Sequence, residues 1–198
     1  MLHLLTLILL AYLLGSIPTG LVVARLLGGP DPRQAGSGNV GAANVYRLLG
    51  PKAGAITLAG DVLKGAAPLM LAFFWLPPQG AWHEAALSLV GLAAILGHMF
   101  PLYLGFQGGK GVATTFGVVG VLCPWAALNL VIAYAITLTQ TRIFSVAALL
   151  CAWLLPVAIG LFSHSKAYVL LAGVISGLIL LKHRENLERL FKGEEPRL

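Results

Sequence analysis

Four stretches of this chain hold the residue types best suited to chemistry, and each stretch has a plainer structural alternative. The first runs Gly36-Ser37-Gly38-Asn39-Val40-Gly41-Ala42-Ala43-Asn44-Val45-Tyr46-Arg47, a glycine-rich turn leading into a predicted helix. A helix entered this way presents backbone N–H groups, so Ser37, Asn39 and those amides suit a phosphate, and Arg47 adds a fork of donors. The alternative is a flexible loop with Arg47 as a topology charge. The second stretch is Gly105-Phe106-Gln107-Gly108-Gly109-Lys110-Gly111, just before Val112-Ala113-Thr114-Thr115 opens an apolar run. Its glycines let the backbone close around an anion while Lys110 supplies charge. It is no nucleotide P-loop, because the first glycine of that motif falls on Leu104 and its Ser/Thr on Gly111. Here the alternative is Gly105 and Gly109 as close packing, with Lys110 as a topology charge.

Asp61 and Lys64 lie three residues apart inside an apolar run, on one helical face where each offsets the other's charge. Such a pair suits support of the fold more than substrate contact. The last stretch is His183-Arg184-Glu185-Asn186-Leu187-Glu188-Arg189-Leu190, which sets His183 and Asn186 one helical turn apart at the end of the final apolar run. His98, before Pro101, is a weaker candidate for substrate contact. Cys123 and Cys151 sit in apolar runs without metal-ligand spacing, and no metal site or cofactor is expected.

The elements that must carry these residues are set by composition. Apolar residues make up 58% of the 198 and charged residues 10%, against about 25% charged in a soluble domain. Thirteen Lys/Arg and seven Asp/Glu are too few to clothe a soluble core, so the remaining apolar surface must face lipid. An all-α integral membrane protein of one domain, 1–198, is expected. Seven spans fit, near 2–25, 53–76, 85–103, 112–123, 124–140, 143–162 and 166–182, with a fused 112–140 helix as the alternative at Cys123-Pro124.

With the N-terminus outside and the C-terminus cytoplasmic, the inner segments hold Arg25, Arg33, Arg47, Lys52, Lys110, Arg142, Lys182, Arg184, Arg189, Lys192 and Arg197, and only Lys166 lies outside. Six or eight spans would split that positive charge between faces. The net charge of +6 therefore reports topology and contact with anionic lipid or substrate, and no nucleic-acid motif accompanies it. A small-anion transporter is disfavoured because no pair of broken helices recurs between the halves.

Taken in order, Gly15-Ser16-Ile17-Pro18-Thr19-Gly20, Ser37 to Asn44 with Arg47, Asp61 to Gly65, Gly97-His98 with Pro101, Phe106 to Thr114, Ser145 and His183 to Leu190 resemble the bacterial acyl-phosphate glycerol-3-phosphate acyltransferase family known as PlsY. One departure is Gln107, where that family usually has a second lysine.

The resemblance implies transfer of a fatty acyl group from acyl phosphate to the 1-hydroxyl of sn-glycerol 3-phosphate, giving lysophosphatidic acid and phosphate, at the cytoplasmic face of the bacterial inner membrane. It implies catalytic roles for Ser37, Arg47, Lys110 and His183, and substrate binding by Gly38, Asn39, Asn44, Gly108, Gly109, Gly111 and Asn186, with Asp61 and Lys64 in support. Partners are then the two phosphate-bearing substrates and the bilayer, with no nucleic acid, and a monomer is expected. The His-x4-Asp of thioester-dependent acyltransferases is absent, because neither Asp31 nor Asp61 has a His five residues earlier.

Overall fold

The computed structural model describes residues 2–78 and 80–198, and among them there is no strand. Helices α1 (Leu2–Gly15), α2 (Thr19–Leu26), α3 (Ala42–Trp75), α4 (Gly80–Met99), α5 (Val112–Leu122), α6 (Pro124–Thr141), α7 (Phe144–Phe162), α8 (Lys166–Lys182) and α9 (Arg184–Lys192) follow one another, with a 3-10 turn at Leu102–Leu104. Within the expected single domain the helices pack as two compact units, Met1–Val118 and Val119–Leu198.

Most expected spans match a helix to within a few residues, for a local reason: long apolar runs have no other way to satisfy their backbone groups in lipid. The outward residues agree with that solvent, since Phe74, Trp153 and Leu170 are 78%, 67% and 71% exposed. The break at Cys123 is real, so the fused 112–140 helix does not form. Cys123 leaves helical geometry (φ −151°, ψ 80°) and Pro124 opens α6 at its first turn, where the missing N–H is harmless.

The expected continuous first span is corrected. It breaks into α1 and α2, bent by 40°. Pro18 bars Ile17 from helical geometry, and Ser16 Oγ donates to Tyr12 O (2.8 Å) while accepting from Leu102 N (3.4 Å). Helix α3 also differs from expectation, because it joins a loop helix to a span across Gly50 (φ 84°) and Pro51. By length and composition, three helical stretches among the described residues can cross a bilayer, Ala42–Trp75, Gly80–Leu104 and Phe144–Phe162, or up to five if the bent pairs α1 with α2 and α8 with α9 each count as one. With 11 residues, α5 is about 16 Å long, half of the roughly 30 Å hydrocarbon core.

In the first unit α1, α2 and α4 all pack on α3, and α1 packs on α4. Small residues permit the close approaches. A Cβ on Gly15 would lie 2.2 Å from Ala94 O, and one on Gly117 2.1 Å from Val62 O. In the second unit α7 packs between α6 and α8, and Ser176 Oγ donates to Ala152 O (2.6 Å).

Candidate functional site

The first loop is knotted by one side chain. Asn44, 1% exposed on the first turn of α3, donates from Nδ2 to Pro32 O (2.9 Å), Ala35 O (3.0 Å) and Asn39 O (2.9 Å), while its Oδ1 accepts from Ser37 N (2.9 Å). A buried amide bonded on every side serves the fold. Gly36, at φ 62°, must lack a Cβ because one would sit 2.3 Å from Asn44 Oδ1. Asn39 Oδ1 accepts from Gly41 N (2.8 Å), an Asx-turn that ends the loop at the start of α3. Two of the residues expected to bind substrate thus shape the loop, and Ser37 is left exposed on a fixed backbone. Arg47 lies one turn beyond Asn44 on α3 and is partly buried.

The second loop lies across the end of α4. Gly109 N donates to His98 O (3.1 Å), and Gly111 (φ 82°) turns the chain into α5. Gly105 is a left-handed turn residue (φ 59°) with open space around it, so it is not the close-packing residue of the plainer reading, whereas Gly109 is buried. Lys110 is partly exposed between two buried glycines.

Below this loop the expected Asp61–Lys64 pair forms within α3. Lys64 Nζ lies 2.9 Å from Asp61 Oδ1 and donates to Ile17 O (2.9 Å) at the α1–α2 break. His98 Nδ1 approaches the same carboxylate oxygen at 3.6 Å, a partner the sequence spacing did not reveal.

The two loops meet at a cleft of about 160 Å³ lined by Arg33, Gly38, Val40, Leu104, Gln107 and Gly108. That is below the roughly 300–1,000 Å³ of pockets for drug-sized ligands and suits a small polar head group. Ser37 and Lys110 adjoin this lining in sequence without being part of it. Arg33 is a lining residue that the sequence suggested only as a topology charge. Its Nε and Nη2 clasp the Asp31 carboxylate at 2.6–3.1 Å, and that hydrogen bonding holds the Asp31 pKa down at about 2. The only advance sign was the Asp31-Pro32-Arg33 turn.

In the second unit the tail folds back to α7. Glu195, 8% exposed, accepts from Ser145 Oγ (2.7 Å) and Asn186 Nδ2 on one oxygen and from Arg189 Nε (2.7 Å) on the other. Leu198 N donates to Arg142 O (2.7 Å). His183, 3% exposed at the 56° bend between α8 and α9, sets Nδ1 2.8 Å from Ile179 O. A carbonyl only accepts, so Nδ1 carries a proton. Glu195 was not anticipated, since an acidic residue among charged neighbours reads as solvated.

Burial alone would raise the Glu195 pKa, but hydrogen bonds from Ser145, Asn186 and Arg189 more than offset it and hold it below the usual range. A lowered folded pKa means stabilisation that is full above the unfolded value and lost as pH falls through the folded one. Protection of the 184–198 amides, corrected for the pH dependence of intrinsic exchange, should therefore hold down to about pH 4.5, the ordinary glutamate value, and fall only below it. Glu195→Gln should exchange fast across the whole range. Fast exchange of the wild-type tail at neutral pH would count against this anchor.

Comparison with known proteins agrees with the geometry. The family model for glycerol-3-phosphate acyltransferase matches residues 5–193. A glycerol-3-phosphate acyltransferase of Thioalkalivibrio sulfidiphilus is 45% identical over 192 residues, covering 97% of this chain and 92% of the relative. One from Bordetella pertussis is 46% identical over 197 residues, covering 97% and 90%. The crystal structure of PlsY, an integral membrane glycerol 3-phosphate acyltransferase in its glycerol 3-phosphate form, superposes with a TM-score of 0.91 at 39% identity, covering 99% of this chain and 96% of that one. Its lysophosphatidic acid form gives 0.89 at 38%, covering 99% and 95%. With identities this high along nearly its whole length, the chain belongs to the glycerol-3-phosphate acyltransferase family and is an integral membrane acyltransferase.

Proposed function

We propose that the protein transfers a fatty acyl group from acyl phosphate to the 1-hydroxyl of sn-glycerol 3-phosphate, releasing lysophosphatidic acid and inorganic phosphate. The observation that carries this reading is the meeting of two glycine-rich loops at one small cleft beside apolar helices. Such a cleft suits a phosphate head, and the adjoining lipid phase suits an acyl tail.

An acyl phosphate is already activated, so alignment and charge stabilisation are the enzyme's main tasks. The glycerol hydroxyl oxygen attacks the carbonyl carbon, the bond from that carbon to the phosphate oxygen breaks, and the departing phosphate takes the hydroxyl proton. Ser37, Arg47 and Lys110 bind phosphate and stabilise developing charge. The Gly108 to Gly111 backbone and Gly38 lie around the phosphates. His183 and Asn186 orient glycerol 3-phosphate, whereas Asn39 and Asn44 contribute through the shape of the loop. No acyl-Ser37 intermediate is required.

Purified protein given radiolabelled glycerol 3-phosphate should make lysophosphatidic acid with acyl phosphate and none with acyl-CoA or acyl carrier protein. Comparable turnover with either thioester would sink the donor assignment.

The chain is proposed to act as a monomer in the bacterial inner membrane. Seven crossings place its N-terminus outside and its tail in the cytoplasm, as the eleven-to-one division of Lys/Arg favours. In that arrangement α5 crosses as a short helix held by its neighbours. Reporter fusions after Lys52 and after Lys192 should both read cytoplasmic, and opposite readings would refute the seven-span arrangement.

A further inference from the structure

We propose that His98 is a positioning residue, which sets the height and angle of the Gly108–Gly109–Lys110 loop against the phosphate it binds. This rests on the loop reading given above, and it explains a histidine that the reaction itself does not use.

Each edge of the buried ring, 5% exposed, has its own task. On one edge Nδ1 lies 3.6 Å from Asp61 Oδ1, too far for a good hydrogen bond but close enough for the carboxylate to orient the ring in a bundle interior. On the other edge Nε2 abuts the loop, since a Cβ on Gly109 would lie 2.1 Å from it. The main chain of the same residue adds a third tie. In the last turn of α4 its carbonyl has no partner within the helix, and it accepts from Gly109 N at 3.1 Å. A Cβ on Gly108 would meet that same oxygen at 2.2 Å and Pro101 Cδ at 2.3 Å.

The loop therefore rests on His98 with both side chain and main chain, and only glycine lets it come so close. His98 is steadied in turn by Asp61, Asp61 by Lys64 at 2.9 Å, and Lys64 by Ile17 O at the α1–α2 break. A histidine that merely filled space would need neither a carboxylate at one edge nor a residue without a Cβ at the other. Gly109 is not at positive φ, so it is this close approach, and not backbone strain, that excludes a side chain there.

The test uses full-length protein in detergent. His98→Asn keeps a donor near the Nδ1 position and removes the Nε2 edge. The expected result is a rise of about tenfold or more in the Michaelis constant for one of the two phosphate-bearing substrates, with the other unchanged and kcat within about threefold. Gly109→Ala should raise the same constant. In the double variant the added methyl enters the vacated space, so the combined rise should be smaller than the product of the two single effects. Unfolding midpoints measured in parallel separate positioning from a general loss of structure.

A fall in kcat with both Michaelis constants unchanged would overturn the proposal. So would multiplicative effects in the double variant, or losses that track the midpoint alone. Titration with inorganic phosphate separates this proposal from the donor assignment. A wild-type protein that binds phosphate yet does not turn over acyl phosphate counts against the donor only, whereas equal phosphate affinity in wild type and His98→Asn counts against positioning.

Discussion

Lys110→Ala should nearly abolish acyl transfer while leaving the protein folded. Lys110 is the only cation within the second loop, and it stands between Gly109 and Gly111 where the chain turns into α5. A charge-assisted contact to a phosphate on which negative charge develops contributes on the order of 2–4 kcal/mol to the transition state. Its loss corresponds to a fall of roughly 30- to 1,000-fold in kcat/KM. The side chain is partly exposed, so its truncation leaves no large cavity and the unfolding midpoint should hold. Lys110→Arg retains the charge with another shape and should recover part of the rate, which separates a need for charge from a need for this particular amine. Steady-state rates at varied acyl phosphate and glycerol 3-phosphate provide the measurement. An alanine variant within threefold of wild type would remove Lys110 from the machinery.

Asp61→Ala is the second large effect, and it falls on stability. The Asp61 and Lys64 side chains are 2% and 8% exposed, so deleting the carboxylate leaves an ammonium in the bundle with Ile17 O as its remaining hydrogen-bond acceptor within α1–α2. Removing one member of a buried pair costs about 3–5 kcal/mol, largely through the uncompensated charge left behind. Asp61→Ala should therefore lower the unfolding midpoint in detergent sharply or prevent accumulation of folded protein. The paired change Asp61→Leu with Lys64→Met removes both charges and should restore much of the midpoint, because apolar replacement of a whole pair is often neutral. It should not restore full activity, because His98 would then lose the carboxylate at its Nδ1 edge. A single variant that unfolds like wild type would show that the pair does not hold α3 to the α1–α2 break.

The sequence by itself determined the solvent, the helices and the chemical repertoire. Long apolar runs and the break at Cys123-Pro124 are contiguous signals, and the spans read from them match α5 to α8 closely. The residue types of both glycine loops were also visible, because phosphate chemistry draws on few side chains and places them near helix starts.

What each polar group actually bonds was decided only by the tertiary structure, because the partners are distant in sequence. Asn44 reads as a ligand and proves to knot the first loop through Pro32, Ala35, Ser37 and Asn39. Lys64 meets a carbonyl 47 residues away, and Glu195 meets a serine 50 residues away. Arg33 enters the cleft because the fold brings residues 33–40 and 104–108 together, not because of any spacing between them. Gly109 shows the division most clearly. Its freedom from a side chain is a fact of sequence, but its need for that freedom comes from the His98 ring, and no local pattern encodes that contact.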